Sequence, residues 1–182
     1  MTRKELPSQS ELKALFNYDP LTGALTWKAR ETVNSKTQSW NTRYADKPAL
    51  ATKNANGYLH GTLRGRTISA HRIIFKIMTD QDPHEIDHID GNRQNNAFAN
   101  LRSVTRLENR RNQGVRACNT SGATGVTWDK ARNKWRAQIT DNREVINRGR
   151  VAAFEDAVSA RRDGERKMGF HPNHGSRPCS AR

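Results

Sequence analysis

Cysteine is nearly absent from this 182-residue chain. Cys118 and Cys179 stand far apart, without the close pairing of a zinc site or the even framework of a disulfide scaffold, so free thiols in a reducing compartment are expected. Long apolar runs are missing too: nothing approaches the roughly 20 residues a spanning helix needs. The opening Met1-Thr2-Arg3-Lys4-Glu5-Leu6-Pro7 lacks a signal-peptide core, so no membrane partner and a cytoplasmic location are expected. Hydrophobic residues make up only 34%, which limits how much each part of the chain can bury and predicts a thinly cored, extended protein.

Negative charge is also scarce, with 18 Asp and Glu against 32 Lys and Arg, a net +14. Residues 1–100 hold 14 basic and 10 acidic residues (+4), whereas residues 101–182 hold 18 and 8 (+10). Such a field attracts phosphate and gains from counterion release, so a polyanionic partner is expected, gripped mainly by the second half.

What the chain does have is concentrated in residues 86–109. Asp87 and Asn109 offer oxygen atoms suited to a hard divalent cation, Mg²⁺ or Mn²⁺. His88 can take a proton near neutral pH. Asp90-Gly91-Asn92 and Asn95-Asn96 are turn formers, and Leu101-Arg102-Ser103-Val104 alternates like a half-buried strand. Thr105 and Glu108 have capping-box spacing, so a helix carrying Asn109 is predicted to follow. Strand, loop, strand and helix would bring these residues together.

This stretch resembles the active-site motif of HNH endonucleases, especially the phage and intron-encoded homing branch. Asp87-His88 fill the first position, Asn100 in Asn100-Leu101-Arg102 the second, and Asn109 the third, where Asn replaces the last His. The resemblance implies a ββα-metal (His-Me finger) module binding one divalent ion per site through Asp87 and Asn109. It implies that His88 is the general base, that Asn100 orients its ring, and that the products carry 5′-phosphate and 3′-hydroxyl ends. No zinc is expected, because the two Cys pairs that bind it in some HNH proteins are missing.

Around the motif the chain reads as small modules. Residues 1–56 are a lead-in: an amphipathic helix near Ser10–Phe16 ending before Asp19-Pro20, a turn at Thr22-Gly23, a strand at Ala24–Lys28, then a polar, loop-rich stretch from 31 to 56 with Trp40 and Tyr44. Leu15–Lys28 resembles the lead-in common in phage HNH proteins and is read as a packing hairpin without chemistry. Residues 57–112 are the nuclease domain, with strands at Tyr58–Leu63 and Arg66–Ser69 around Arg64-Gly65. They are followed by a buried helix at Ala70–Met78 whose core is Ile74, Phe75, Ile77 and Met78. His71 reads as a packed structural histidine; His60 and His84 carry no assignment.

A basic linker, 113–119, leads to residues 120–169. Three strands are predicted within Ser121–Asp129, Lys134–Ile139 and Val145–Arg150, then a helix from Phe154 through Met168 with Ala157, Val158 and Ala160 toward the sheet. Gly125-Val126, Trp128, Trp135-Arg136-Ala137 and Phe154 resemble the apetala/ethylene-response-factor DNA-binding domain. That resemblance implies a sheet entering the major groove. Its candidate DNA contacts are Arg132, Lys134, Trp135, Arg136, Arg148 and Arg150, with Trp128 read as core. Arg110 and Arg111, just before the linker, and Arg116 within it are further candidates. The tail, 170–182, reads as a mobile end despite His171 and His174.

The resulting expectation is an α+β protein: a metal-dependent endonuclease of homing type, acting on double-stranded DNA as a monomer, with a dimer as the route to cutting both strands. The alternative is a DNA-binding protein on the same scaffold that does not cut. A phage origin would place it in the host cytoplasm.

Overall fold

The computed structural model describes residues 5–112, 114–115, 118–141, 144–172 and 174–175. The fold mixes α and β elements and divides into two compact units, Met1–Val104 and Thr105–Ala181.

The first unit opens with α1 (Gln9–Leu15), whose N-terminus is closed by a capping box: Glu11 N–H donates to the Ser8 hydroxyl and Ser8 N–H to the Glu11 carboxylate. The helix stops at Leu15 because the chain passes directly into β1 (Phe16–Tyr18), which pairs antiparallel with β2 (Leu25–Trp27). The stretch from 31 to 56, expected to be loop-rich, is not all loop. The polar stretch after residue 31 holds a ten-residue helix, α2 (Ser35–Tyr44), capped by Asn34 and Thr37. It buries none of its residues and so carries no apolar stripe to reveal it. It is attached through rings, with Trp40 edge-on to Trp27 at 5.8 Å and the Arg30 guanidinium 3.7 Å from the centre of the Trp40 ring.

Strands β3 (Thr52–Lys53), β4 (Leu59–Leu63) and β5 (Arg66–Ser69) form an antiparallel sheet, the last two joined by a turn with positive φ at Arg64 and Gly65. Helix α3 (Ala70–Thr79) follows and ends at Asp80 in the left-handed conformation. It drives Ile73, Ile74, Phe75 and Ile77 into a cluster with Leu12, Phe16 and Leu25 of the lead-in and Ile86 and Leu101 of the next hairpin. Met78, read as core, is instead 39% exposed, because it lies beyond the helix face that packs. The hairpin is β6 (Glu85–His88) with β7 (Leu101–Val104), in the register Asp87 opposite Arg102 and His88 opposite Leu101.

The second unit begins with the short helix α4 (Arg106–Arg110), capped by Thr105 and Glu108 as the spacing predicts. Strands β8 (Val126–Asp129), β9 (Lys134–Asp141) and β10 (Glu144–Val151) form an antiparallel sheet in the order β10-β9-β8. Helix α5 (Phe154–Lys167) lies against it. Val126, Ala137 and Ala157 are the buried centre of this cluster, with Trp135, Val151, Phe154, Val158 and Ala160 around them. Trp128, read as core, is 41% exposed: it stands on the outer strand β8 at the margin of the cluster, stacked edge-on against Trp135 at 5.1 Å. Among the described residues no helix is long and apolar enough to cross a membrane.

Candidate active site

The β6–β7 hairpin places the motif residues by alternation. Successive strand side chains point to opposite faces, and β6 alternates buried with part-buried residues, Ile86 and His88 inward and Asp87 outward. Asp87 therefore sits beside its cross-strand partner Arg102, whose Nη2 and Nε both donate to Oδ2, at 2.8 and 3.1 Å.

His88 is 2% exposed. Its Nε2 is 3.1 Å from Oδ1 of Asn96, and the rings of His71 and Tyr58 stand 5.3 and 5.7 Å away. Burial pulls the His88 pKa below the ordinary histidine value, opposed by the Asn96 hydrogen bond and the nearby Asp90 and Asp87. His71, wedged behind it with no hydrogen-bond partner on Nδ1, is pushed down to about 3, chiefly by burial. In both rings burial favours the neutral imidazole, the form a proton acceptor needs.

The twelve residues between the strands are fastened by side-chain amides. Asp90 accepts from Asn92 N–H (2.7 Å), Asn95 Nδ2 (2.7 Å) and Asn100 Nδ2 (2.9 Å). Asn100 also donates to the Asn95 carbonyl (2.8 Å), and its Oδ1 accepts from Asp90 N–H (2.9 Å). Asn100, expected to orient the His88 ring, instead closes the loop with its amide, and the amide oxygen that faces the His88 ring is that of Asn96. Sequence reasoning took Asn96 for a turn former, since nothing in Asn95-Asn96 distinguishes a turn amide from a ring partner. Likewise His71 reads as a generic core histidine until the fold sets it edge-on to His88.

Asn109 lies on α4, in the second unit. The carboxylate of Asp87 and the amide oxygen of Asn109 suit a hard cation, though Arg102 already pairs with Asp87. Among the described residues no cluster of three or more His, Cys, Asp or Glu side chains is gathered as for a metal.

The candidate DNA contacts separate by face. Trp135 packs edge-on against Phe154 of α5 at 4.8 Å, so it is on the helix side of the sheet, and Arg148, at a bulge, lies against Gly164 of the same helix. Arg136, one residue on from Trp135, turns to the open face, in a row with Thr127 and Arg150. Arg150 is tied to Asp129 at 2.8 Å, with Arg132 on the same carboxylate at 3.5 Å. Lys134 is exposed opposite Asp129, and Arg110 is exposed on α4. Arg111 is paired with Asp141 at 2.7 Å, and Arg116 lies outside the described residues.

Against known proteins, residues 69–111 match a family described as HNH endonuclease. This segment, from the end of β5 through α4, holds Asp87, His88, Asn96, Asn100 and Asn109. The chain thus carries an HNH endonuclease domain there. Over 55 residues it is 47% identical to Protein 3.8 of Escherichia phage T7, covering 30% of this chain and 46% of that protein. The chain therefore spans about half the length of the curated relative it matches. No solved structure matches it.

Proposed function

We propose that this protein is a divalent-metal-dependent DNA endonuclease of the homing type, cutting through its HNH domain and gripping duplex DNA through its second unit. The observation that carries this reading is a buried His88 at the end of β6, one residue from the Asp87 carboxylate, inside the segment that matches HNH endonucleases.

In this reading His88 accepts the proton of the attacking water at a ring nitrogen. Asp87 would hold the Mg²⁺ or Mn²⁺ ion that HNH nucleases use, with Asn109 the second ligand that the family resemblance implies. When bound, the ion would supply positive charge to offset the negative charge developing on the departing sugar oxygen. Holding the cation requires the Asp87 carboxylate to share or exchange its Arg102 partner. Asn100 keeps the loop closed over the hairpin end, in the manner of a ββα-metal module. Cleavage leaves 5′-phosphate and 3′-hydroxyl ends, one strand per site.

The resemblance of Gly125-Val126, Trp128 and Trp135-Arg136-Ala137 to the apetala-type domain supports a DNA-binding role for this three-stranded sheet and its packed helix. Lys134, Arg136 and Arg150 on its open face, with Arg132 in the β8–β9 turn and Arg110 on α4, are the contacts this placement favours. Most such contacts hold phosphate and set register. The likeness to a phage protein supports a role in the cytoplasm of an infected host.

One observation favours a second reading, a protein that binds DNA without cutting: the Arg102 guanidinium sits on the carboxylate assigned to the metal. Incubating supercoiled DNA containing the target with the wild type and with His88→Ala, with Mg²⁺ or EDTA, decides between them. Mg²⁺-dependent nicking by the wild type alone supports the nuclease. Salt-sensitive binding with no cleavage by either establishes the binding protein.

A further inference from the structure

We propose that Asn96, held by the β1–β2 hairpin, sets the tautomer of His88: its amide oxygen accepts a hydrogen bond from Nε2–H and leaves Nδ1 as the basic nitrogen. The inference rests on the nuclease reading of His88 and names the positioning residue of that site.

An amide oxygen has only lone pairs to offer, so the ring nitrogen 3.1 Å from Asn96 Oδ1 is the one that carries hydrogen. A neutral imidazole has a single N–H, so the proton-accepting lone pair is then on Nδ1. Asn100 cannot do this work, because both ends of its amide are engaged with Asp90 and Asn95.

Asn96 is itself 3% exposed and pinned from outside the motif. The Tyr18 hydroxyl, on β1, donates to the Asn96 carbonyl at 2.8 Å. Burial pushes that phenol up to about 12, so it stays a donor. Two residues on, Phe98 N–H donates to the Pro20 carbonyl at 3.0 Å. Between these points Gly23, at φ 76°, comes so close that a Cβ on it would overlap the Asn96 and Ala97 backbone.

The turn that makes these contacts is stiff. The Asp19 carboxylate accepts from Leu21 N–H (2.9 Å) and the Thr22 hydroxyl (2.6 Å), and Gly23 N–H donates to the Asp19 carbonyl (2.9 Å). A hairpin that reads as packing alone thereby fixes the partner of the catalytic ring. On the other side His71 and Tyr58 wall the ring in.

The test reads the tautomer directly. Full-length protein with ¹⁵N-labelled histidine is examined near neutral pH by long-range ¹H–¹⁵N correlation, without DNA or metal, the His88 signals being those lost in His88→Gln. The wild type should carry hydrogen on Nε2 and a bare Nδ1. Asn96→Ala and Gly23→Ala should shift His88 toward a mixture. Asn96→Asp, which still offers only an acceptor, should keep the wild-type pattern.

Cleavage should follow: Asn96→Ala loses about ten- to hundredfold in kcat with little change in KM, and Asn96→Asp recovers most of it. Should Gly23→Ala not fold, Tyr18→Phe removes one hydroxyl and should give a smaller shift of the same sign. A wild-type proton on Nδ1, or an unchanged tautomer in Asn96→Ala, overturns the assignment to Asn96. An unchanged tautomer in both hairpin variants overturns the part given to the hairpin. The expected tautomer with no cleavage on target DNA would instead refute the nuclease reading.

Discussion

The two units hold themselves together by different means. In the first, thirteen buried apolar residues from the lead-in, β4, α3 and the hairpin form one cluster, and the buried polar side chains His71, His88 and Asn96 gather at the motif. In the second, the buried cluster is Val126, Ala137 and Ala157, with Ile139 also buried, and it is supplemented by charge. Arg161, 5% exposed, reaches Glu165, the Gln138 carbonyl and His174, while Asp129–Arg150 and Arg111–Asp141 tie further elements. A cavity of about 500 Å³ in this unit is lined by Thr124, Arg161, Phe170 and His174, and by no residue of the hairpin. The difference suits the work proposed for each. A base that must stay neutral needs a dry apolar wall, whereas a surface for phosphate needs cations held outward. A sheet studded with Arg leaves little apolar area for a core.

The sharpest break in this comparison is chemical. His88→Ala should lower the cleavage rate by about 10²- to 10⁴-fold, the usual worth of a general base, while salt-sensitive DNA binding persists; gel assays of nicking and of binding on the same DNA read both. Equal cleavage by the variant would move the chemistry away from β6.

Matched core truncations come next. Ile73 and Ile139 are both fully buried, one in each unit, so Ile73→Ala and Ile139→Ala should each cost about 2–5 kcal/mol. With the thinner core, the second unit should lose its fold to that cost first. Urea unfolding followed by tryptophan fluorescence can tell them apart, since Trp27 and Trp40 report on the first unit and Trp128 and Trp135 on the second. Equal residual stability in the two variants would remove the contrast.

Acid should sharpen it. The His71 pKa is depressed from 6.5 to about 3, so the unfolded chain takes up a proton there before the folded one does. The stability from keeping this ring neutral is present above about 6.5 and drains away as pH falls toward 3, at up to about 1.4 kcal/mol per pH unit for one site. His88 is shifted in the same direction. In the second unit His174 is lowered to about 4, again chiefly by burial. Unfolding midpoints in urea taken at falling pH should therefore drop more steeply for the first unit, with its two buried imidazoles.

The smallest effect concerns binding. Arg136→Ala should weaken DNA binding and reduce the slope of log K against log salt by about 1 if its contact is to phosphate. Arg148→Ala, on the helix side, should leave that slope unchanged. A salt titration of the two variants settles which face of the sheet meets DNA.

Much of this was legible where local chemistry decides. The Thr105–Glu108 box, the Arg64-Gly65 turn, helix α3 and the strands of the second unit follow from capping, turn residues and periodicity. Helix α2 was invisible because it has no apolar stripe, and Met78 and Trp128 were misread because a pattern shows that a residue is apolar but not where its packing face ends. The motif's identities were readable, but its wiring was not. Which of several asparagines meets His88 depends on contacts between residues 18–23 and 96–98, far apart in sequence, and on the alternation that turns Asp87 toward Arg102.

The sharing of one apolar cluster by Leu12, Phe16 and Leu25 with α3 bears on how such a gene can be cut and recombined. The recognisable signature occupies residues 69–111, yet a segment trimmed to it would bare the inner faces of Ile73, Ile74 and Phe75 to water. The portable piece, for a genome exchanging modules or an engineer building a chimera, is therefore larger than its signature and has to bring the lead-in along.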